Sequence, residues 1–446
     1  MSSYKIRKTD GDTKWLINDR FGMFIHFGLY SMPSRHEWVK TKEQISEEHY
    51  DKYFKYFNPE MFDAKEWARK AKEAGMKYAI LTTKHHDGFC LFNSKYTDYC
   101  VTNTPFGRDI VKEYVEAFRN AGLKVGLYYS VIDWHHPHFP IDGIHPRRDD
   151  VDAQLQDKGR DIKIYAEYMR NQVTELLTNY GKIDVLWYDF SYSTPDYVRF
   201  LAFDKSNPPP RPEPLPWMQH GGVKGPDVLE SEKLMALTRK LMPGIIVNNR
   251  LGIQGDVSTP EQTMLKDWPE DPVTKEKLVW EGCHTFSGSW GYFRDETTWK
   301  SPKMLIDLLV KAVSFGGNLL MNVGPTSRGY FDHRADEALK VYADWMRVNS
   351  RSIYGCTMAE PEFTPPQGAV LTQSVDEKRL YIHVLEYPFK KLTVSGLKNK
   401  IAYAQFLVDG SEVLYSENAD GTISFEMPVK SPQEINPVIE IFLKGE

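Results

Sequence analysis

Cysteine is scarce in this chain: Cys90, Cys100, Cys283 and Cys356 are scattered through 446 residues. No CxxC pair is present, so neither a zinc motif nor a disulfide framework is implied, and reduced thiols in a cytoplasmic protein are expected. Long apolar runs are missing as well. No stretch approaches the roughly 18 uninterrupted apolar residues of a membrane-spanning helix. The opening MSSYKIRKTDGDTKW has no apolar h-region, so no signal peptide is expected. Charge of one sign is nowhere concentrated. The net charge of −5 is mild, which implies neither nucleic acid nor a membrane as partner. No internal repeat is visible, and nothing in the sequence fixes an oligomeric state.

What the chain does have is length and aromatic rings. At 446 residues it exceeds one ordinary core, so a large domain plus a small one is expected. Apolar content of 41% and charged content of 26% are those of a soluble globular protein. Aromatic content of 13%, with 11 Trp and 25 Tyr, is high. Such a surplus builds either a large core or a cleft on which sugars stack.

The stretch 183–190, IDVLWYDF, reads as a buried strand that ends in an acid, Asp189. That acid either caps the following loop or is a catalytic carboxylate at the mouth of a β/α barrel. The surrounding rhythm decides. Strands are expected over 21–28, 78–83, 124–131, 183–190, 245–249, 279–283 and 318–323. Helices are expected over 63–75, 109–122, 157–180, 229–242, 302–315 and 333–349. This alternation is the pattern of parallel strands joined by crossover helices, hence a (β/α)8-like TIM barrel. Two loops interrupt it: 191–225, with NPPPRPEPLP, and 251–280. Irregular stretches of that length line active sites. After residue 356 the pattern changes to short β-type runs split by Asp-Gly turns, which predicts a small antiparallel β-sandwich. The expected domains are therefore 1–356 and 357–446.

Chemistry-bearing residues cluster at the ends of the expected barrel strands, on one face. His85 and His86 follow the second strand; adjacent histidines on a strand would point to opposite faces, so sugar hydroxyls suit them better than a metal. His135, His136 and His138 look like a solvated loop. His26, in an apolar strand, is either a satisfied core histidine or a ligand to substrate. Glu37 and Trp38 pair a carboxylate with an indole. Arg250 could orient a carboxylate. Glu261 looks locally like a helix N-terminus. Glu281 is expected to be buried, with a raised pKa.

In order along the chain, FGMFIHFGLYS, EW, KHHDGFCLFNSKYTDYC, GLYYS, LWYD, NNR, TPEQ and GNLLMNVGP resemble the retaining α-L-fucosidases, glycoside hydrolase family 29. The resemblance spans roughly residues 15–356. It implies that Asp189 is the nucleophile and that His26, Glu37, Trp38, His85, His86, Tyr128, Trp187 and Arg250 form the fucose site. It makes Glu261 the best match for the general acid/base, with Glu281 and Asp256 as rivals. Trp290, with Phe286 in competition, would line the sugar's methyl group. No metal and no organic cofactor is implied.

The resemblance thus implies an exo-acting α-L-fucosidase. It would remove terminal fucosyl residues from oligosaccharides or glycoconjugates by double displacement. The alternatives are a related hydrolase of α-L-galactosides and a non-catalytic fucose-binding protein. Linkage preference has no readable code.

Overall fold

The computed structural model describes residues 3–191 and 224–445. Seven parallel strands form one curled sheet in the order β5-β4-β3-β2-β1-β7-β6. They are β1 (Phe21–Ile25), β2 (Tyr78–Lys84), β3 (Lys124–Ser130), β4 (Val185–Asp189), β5 (Ile246–Val247), β6 (Glu281–Thr285) and β7 (Asn318–Val323). The edges β5 and β6 do not pair directly. Residues 257–261 run between them, bridging Asn248 to Val257 on one side, Ser258 to Trp280 and Glu261 to Cys283 on the other, all parallel. Backbone bonds Asn249 N–H to Val257 O (2.9 Å) and Cys283 N–H to Pro260 O (3.1 Å) seal both seams. This stretch is the missing stave of a (β/α)8-like barrel. Glu261 therefore sits on a strand-like segment, not at a helix N-terminus as its local sequence suggested. Pro260 and the adjacent turns keep the pairing too sparse for a regular ladder.

Alternation sorts the strands' side chains into two layers. Phe24, Ile80, Tyr128, Val185, Trp187, Ile246, Val257, Cys283 and Leu320 fill the barrel interior. Their neighbours Met23, Ile25, Leu81, Leu127, Leu186, Val247 and Met321 face outward onto the helices. Burial on both faces explains why these strands are almost wholly apolar; each large side chain so buried contributes about 1.5–3 kcal/mol.

The crossover helices begin and end where their sequences dictate. Ala64–Glu73 is capped by the Asp63 carboxylate on Lys65 and Glu66 N–H; Ile110–Asn120 by Asp109 on Lys112 N–H; Pro302–Ser314 by Ser301, with Pro302 in its first turn. The expected helix over 157–180 is two: Ala153–Asp157, then Ile162–Asn179 capped by Asp161. The helix Glu47–Tyr56, capped by Ser46, went unread in the sequence. Residues 192–223, most of the first long loop, lie outside the described residues.

From Cys356 the chain enters antiparallel sheet: β8 (Cys356–Met358), β9 (Ala369–Ser374), β10 (Arg379–Val384), β11 (Lys391–Val394), β12 (Ile401–Phe406), β13 (Tyr415–Glu417), β14 (Ile423–Glu426) and β15 (Val438–Leu443). Five strands order as β12-β15-β10-β9-β8 and three as β11-β14-β13. The two sheets enclose their own core, including Leu380, Ile382, Phe406, Phe425 and Ile439. They dock on the helix Pro302–Ser314 and on the 3-10 turn Ser350–Ser352 after the last barrel helix: Asn436 Nδ2 donates to Asp307 Oδ1 (2.7 Å) and Arg351 Nη2 to the buried Glu440 (2.8 Å).

Candidate active site

Strand parity carries the interior positions past the apolar layer into polar residues at the C-terminal mouth. Two residues beyond Phe24 comes His26, beyond Trp187 comes Asp189, and beyond Leu320 comes Asn322. His26 and Asp189 border a cleft of about 360 Å³ whose floor is Phe24, Tyr128, Trp187 and Cys283, and Asn322 lies behind His26, bonded to its Nδ1. Phe24 lies at the centre of that floor, 5.1 Å from the Trp187 ring and 5.8 Å from Tyr128.

Asp189 is not a cap. Its Oδ2 accepts from the Tyr128 hydroxyl (2.8 Å) and its Oδ1 from Arg250 Nη1 (3.1 Å). The next residue, Phe190, takes φ 77°, which ends β4 and lets Ser191 N–H reach the Arg250 carbonyl (3.2 Å). The backbones of Asp189 and Arg250 are thereby tied together.

Arg250 Nη1 also donates to Glu261 Oε2 at 2.7 Å. Two carboxylates thus share one nitrogen, and their bonded oxygens lie no more than about 5.8 Å apart, the sum of 3.1 and 2.7 Å. Arg250 directs its remaining N–H groups to Thr259 Oγ1 (3.0 Å), Thr259 O (3.2 Å) and Cys283 Sγ (3.6 Å), and it lies over the Trp187 ring. Burial raises Asp189 from 3.8 to about 6; the Arg250 guanidinium opposes this and the Glu261 carboxylate adds to it. At Asp189, then, burial outweighs the Arg250 guanidinium.

The histidines and the early Glu-Trp pair form the walls. His85 and His86 both reach the cleft, with ring centroids 4.0 Å apart. The strand rule that would send them to opposite faces does not apply, because β2 ends at Lys84. There Gly88 turns the chain at φ 81°, and a Cβ on it would sit 2.3 Å from Asp133 Oδ1. His86 Nδ1 bonds Ser130 Oγ (2.7 Å), while its Nε2 faces Asp189 Oδ2 at 3.9 Å. His26 Nδ1 bonds Asn322 Oδ1 at 2.6 Å. Burial lowers His26 to about 3 and both His85 and His86 well below the ordinary value, so all three are neutral at pH 7. His26 is at once a satisfied core histidine and a cleft residue.

Glu37 is buried, its Oε2 held by Trp290 N–H (3.1 Å) and Gly291 N–H (2.8 Å). Burial raises its pKa and those amides counter it. Gly324 lets the Trp290 loop lie against the end of β7, since a Cβ there would be 2.6 Å from Tyr292 N. Trp38 stands edge-on to His86 (5.0 Å) and Trp134 (5.4 Å), and Trp290 lies 5.2 Å from His26.

Several expected candidates fall elsewhere. Glu281, one interior layer below Cys283, does not line the cleft. It bonds the Tyr78 hydroxyl, and burial lifts it to about 7 against the Tyr78 hydroxyl and the Trp187 indole, whose N–H faces it without a hydrogen bond of normal geometry. Asp256 is a structural clasp, accepting from Gly11 N–H (2.9 Å), Asp10 N–H (3.1 Å), Val247 N–H (2.8 Å) and Arg239 Nη2 (2.6 Å). Phe286 is a core residue against Tyr342. The His135–His138 segment is half-buried rather than solvated. His135 stacks on Tyr99 (3.8 Å, 3°), and Asp133 Oδ1 accepts from His135 N–H (3.0 Å) and His136 N–H (2.9 Å). Sequence reasoning passed over Phe24, Lys42, Asn322 and Cys283. The period-two spacing from Phe24 to His26 and from Leu320 to Asn322 was the available signal for two of them.

The Alpha-L-fucosidase family model matches residues 3–351. The plasma α-L-fucosidase of Homo sapiens is 30% identical over 401 residues, covering 84% of this chain and 76% of its own length. Among solved structures, α-L-fucosidase isoenzyme 1 from Paenibacillus thiaminolyticus agrees with a TM-score of 0.85 at 40% identity, over 97% of this chain and 99% of that one. A GH29 α-L-fucosidase from Bacteroides thetaiotaomicron, trapped as a covalent intermediate with 2-fluoro-fucosyl fluoride, agrees with a TM-score of 0.78 at 27% identity over 100% of both chains. The polypeptide whose barrel mouth holds two acids on one arginine belongs to the α-L-fucosidase family, GH29.

Proposed function

We propose that Asp189 is the nucleophile and Glu261 the general acid/base of a retaining exo-α-L-fucosidase that removes terminal fucosyl residues from fucosylated oligosaccharides or glycoconjugates. The observation that carries this reading is the shared Arg250 nitrogen. It limits the nearest pair of acidic oxygens to about 5.8 Å, which is compatible with the roughly 5–5.5 Å carboxyl separation of retaining enzymes.

In the first step Asp189 attacks the anomeric carbon while Glu261 gives its proton to the departing glycosidic oxygen. The C–O bond to the leaving group breaks as the glycosyl ester to Asp189 forms. In the second step Glu261 takes a proton from water, whose oxygen attacks the same carbon and returns Asp189 as carboxylate. Tyr128 and Arg250 stabilise that carboxylate whenever it is free. His26, His85, His86, Glu37 and Trp38 bind the sugar hydroxyls, and Trp290 with Phe24 faces the C5 methyl group. Glu261 is preferred to Glu281 because it lines the cleft and Glu281 does not.

Replacing Asp189 with Gly should abolish hydrolysis of an aryl α-L-fucoside, and added azide should restore turnover with β-fucosyl azide as product. Normal turnover by that variant would sink the nucleophile assignment. We place the domain boundary at 356, where the chain leaves the barrel's helices for the sandwich. The four cysteines, all buried and free, support a reducing, cytoplasmic setting. No helix among the described residues is long and apolar enough to cross a membrane.

A further inference from the structure

We propose that Asn322 is a positioning residue that locks His26 in the Nδ1–H tautomer, as Ser130 locks His86, so that the inner wall of the cleft accepts hydrogen bonds from sugar hydroxyls and donates none through these two rings. The argument is an accounting of protons. Asn322 is buried, and its Nδ2 donates to the Trp290 carbonyl at 2.7 Å. A carbonyl only accepts, so the amide cannot be flipped, and Oδ1 must face His26. Oδ1 also only accepts, so His26 Nδ1, at 2.6 Å, carries the hydrogen and Nε2 is left with a bare lone pair. At the second ring, Ser130 Oγ donates its one hydrogen to the Ile132 carbonyl (2.8 Å) and accepts from His86 Nδ1 (2.7 Å), which leaves His86 Nε2 bare too. Asp189 Oδ2 faces that nitrogen from 3.9 Å, outside hydrogen-bond range, and Lys84 and Arg250 oppose a second proton on the ring.

Asn322 reaches further than one ring. Through the Trp290 backbone, whose N–H is held by Glu37 (3.1 Å), a single chain of hydrogen bonds connects His26, Asn322, the Trp290 loop and Glu37. His26 also faces His85, Tyr128 and the Arg250 guanidinium, none of which is an anion that would favour its protonation. The inference names what the site reads in its substrate, hydroxyl hydrogens, and for that ligand it rests on the fucosidase reading. The tautomers themselves do not.

Nitrogen-15 spectra of histidine-labelled protein without substrate test the tautomers directly, with assignments from His26→Gln and His86→Gln. The expected result is protonated Nδ1 and bare Nε2 on both rings, unchanged from pH 8 to pH 6; protonated Nε2 on either ring overturns the proposal. Asn322→Asp supplies a second readout, because a carboxylate against Nδ1 favours the imidazolium, whose Nε2 donates instead of accepting. Relative to the wild type, so that titration of Asp189 cancels, kcat/KM of this variant should fall at least tenfold between pH 8 and pH 6. A loss equal at both pH values would indicate a merely structural role and reject the assignment. Failure of L-fucose to inhibit at all, with the tautomers as expected, would count against the substrate reading alone.

Discussion

Burying the Asp189 carboxyl in the cleft costs the fold stability, and that cost can be measured. Asp189 rises from 3.8 to about 6 because burial outweighs Arg250, a difference worth about 3 kcal/mol at ~1.4 kcal/mol per pH unit. The folded protein holds the Asp189 proton more tightly than the unfolded chain does. Its contribution is therefore most favourable below about pH 4, is lost as pH rises through about 6, and is fully lost by about pH 7. Asp189→Asn keeps the shape and never ionises; its one oxygen can accept from Arg250 while its amide N–H donates to the Tyr128 hydroxyl oxygen. The variant should therefore match the wild type near pH 4 and exceed it near pH 8 by roughly 1–3 kcal/mol, the lower figure allowing for lost attraction to Arg250. In a chain of this length that is a rise in Tm on the order of a few degrees. Thermal denaturation of both proteins across pH 4.5–8 is the assay. A variant no more stable at any pH, or a gain that does not grow with pH, would refute the claim that Asp189 is held against its own solvation.

Glu261→Ala should lose activity far more on fucosides with poor leaving groups than on activated aryl fucosides, with Glu281→Gln showing no such split. If the split appears in the Glu281 variant instead, the proton donor is the buried acid. Asp256→Ala should lower stability by roughly 3–5 kcal/mol by stranding Arg239, with kcat/KM per folded molecule unchanged; a large fall in kcat/KM measured on folded protein would return Asp256 to the active site. Trp290→Ala should narrow the preference for an α-L-fucoside over the α-L-galactoside several-fold, since an apolar wall discriminates against one added hydroxyl only modestly. An unchanged ratio would remove Trp290 from the methyl wall.

The barrel was legible because strands buried on both faces write themselves as apolar runs, and Asn318–Val323 and His333–Asn349 have the bounds expected from sequence. Asp189 was legible as an acid ending such a run, while the choice between a cap and a cleft carboxylate came from the ordered motifs around it. What sequence could not supply was which interior layer an acid occupies. Glu261 and Glu281 are both near Cys283, yet one reaches the cleft and the other is sealed beneath it, and that depends on the register of a stave with no periodic pattern. Asp256 misled for the opposite reason. A lone acid in a glycine-containing loop resembles a free group, and its partners come from Gly11 and Arg239, far away in the chain. His85 and His86 were placed by a pleat that stops one residue too early.

The backbone of the stretch 257–261 meets its neighbours through isolated pairings, with irregular segments leading in and out, and Thr259 and Glu261 add side-chain bonds to Arg250. Insertions or deletions on either side need not disturb those few contacts, so the surrounding sequence is at liberty to drift while the residue in position 261 stays where the chemistry needs it. An acid mounted on so irregular a stave will be hard to find by comparing strings of letters and easy to find by tracing which chain segment closes the ring.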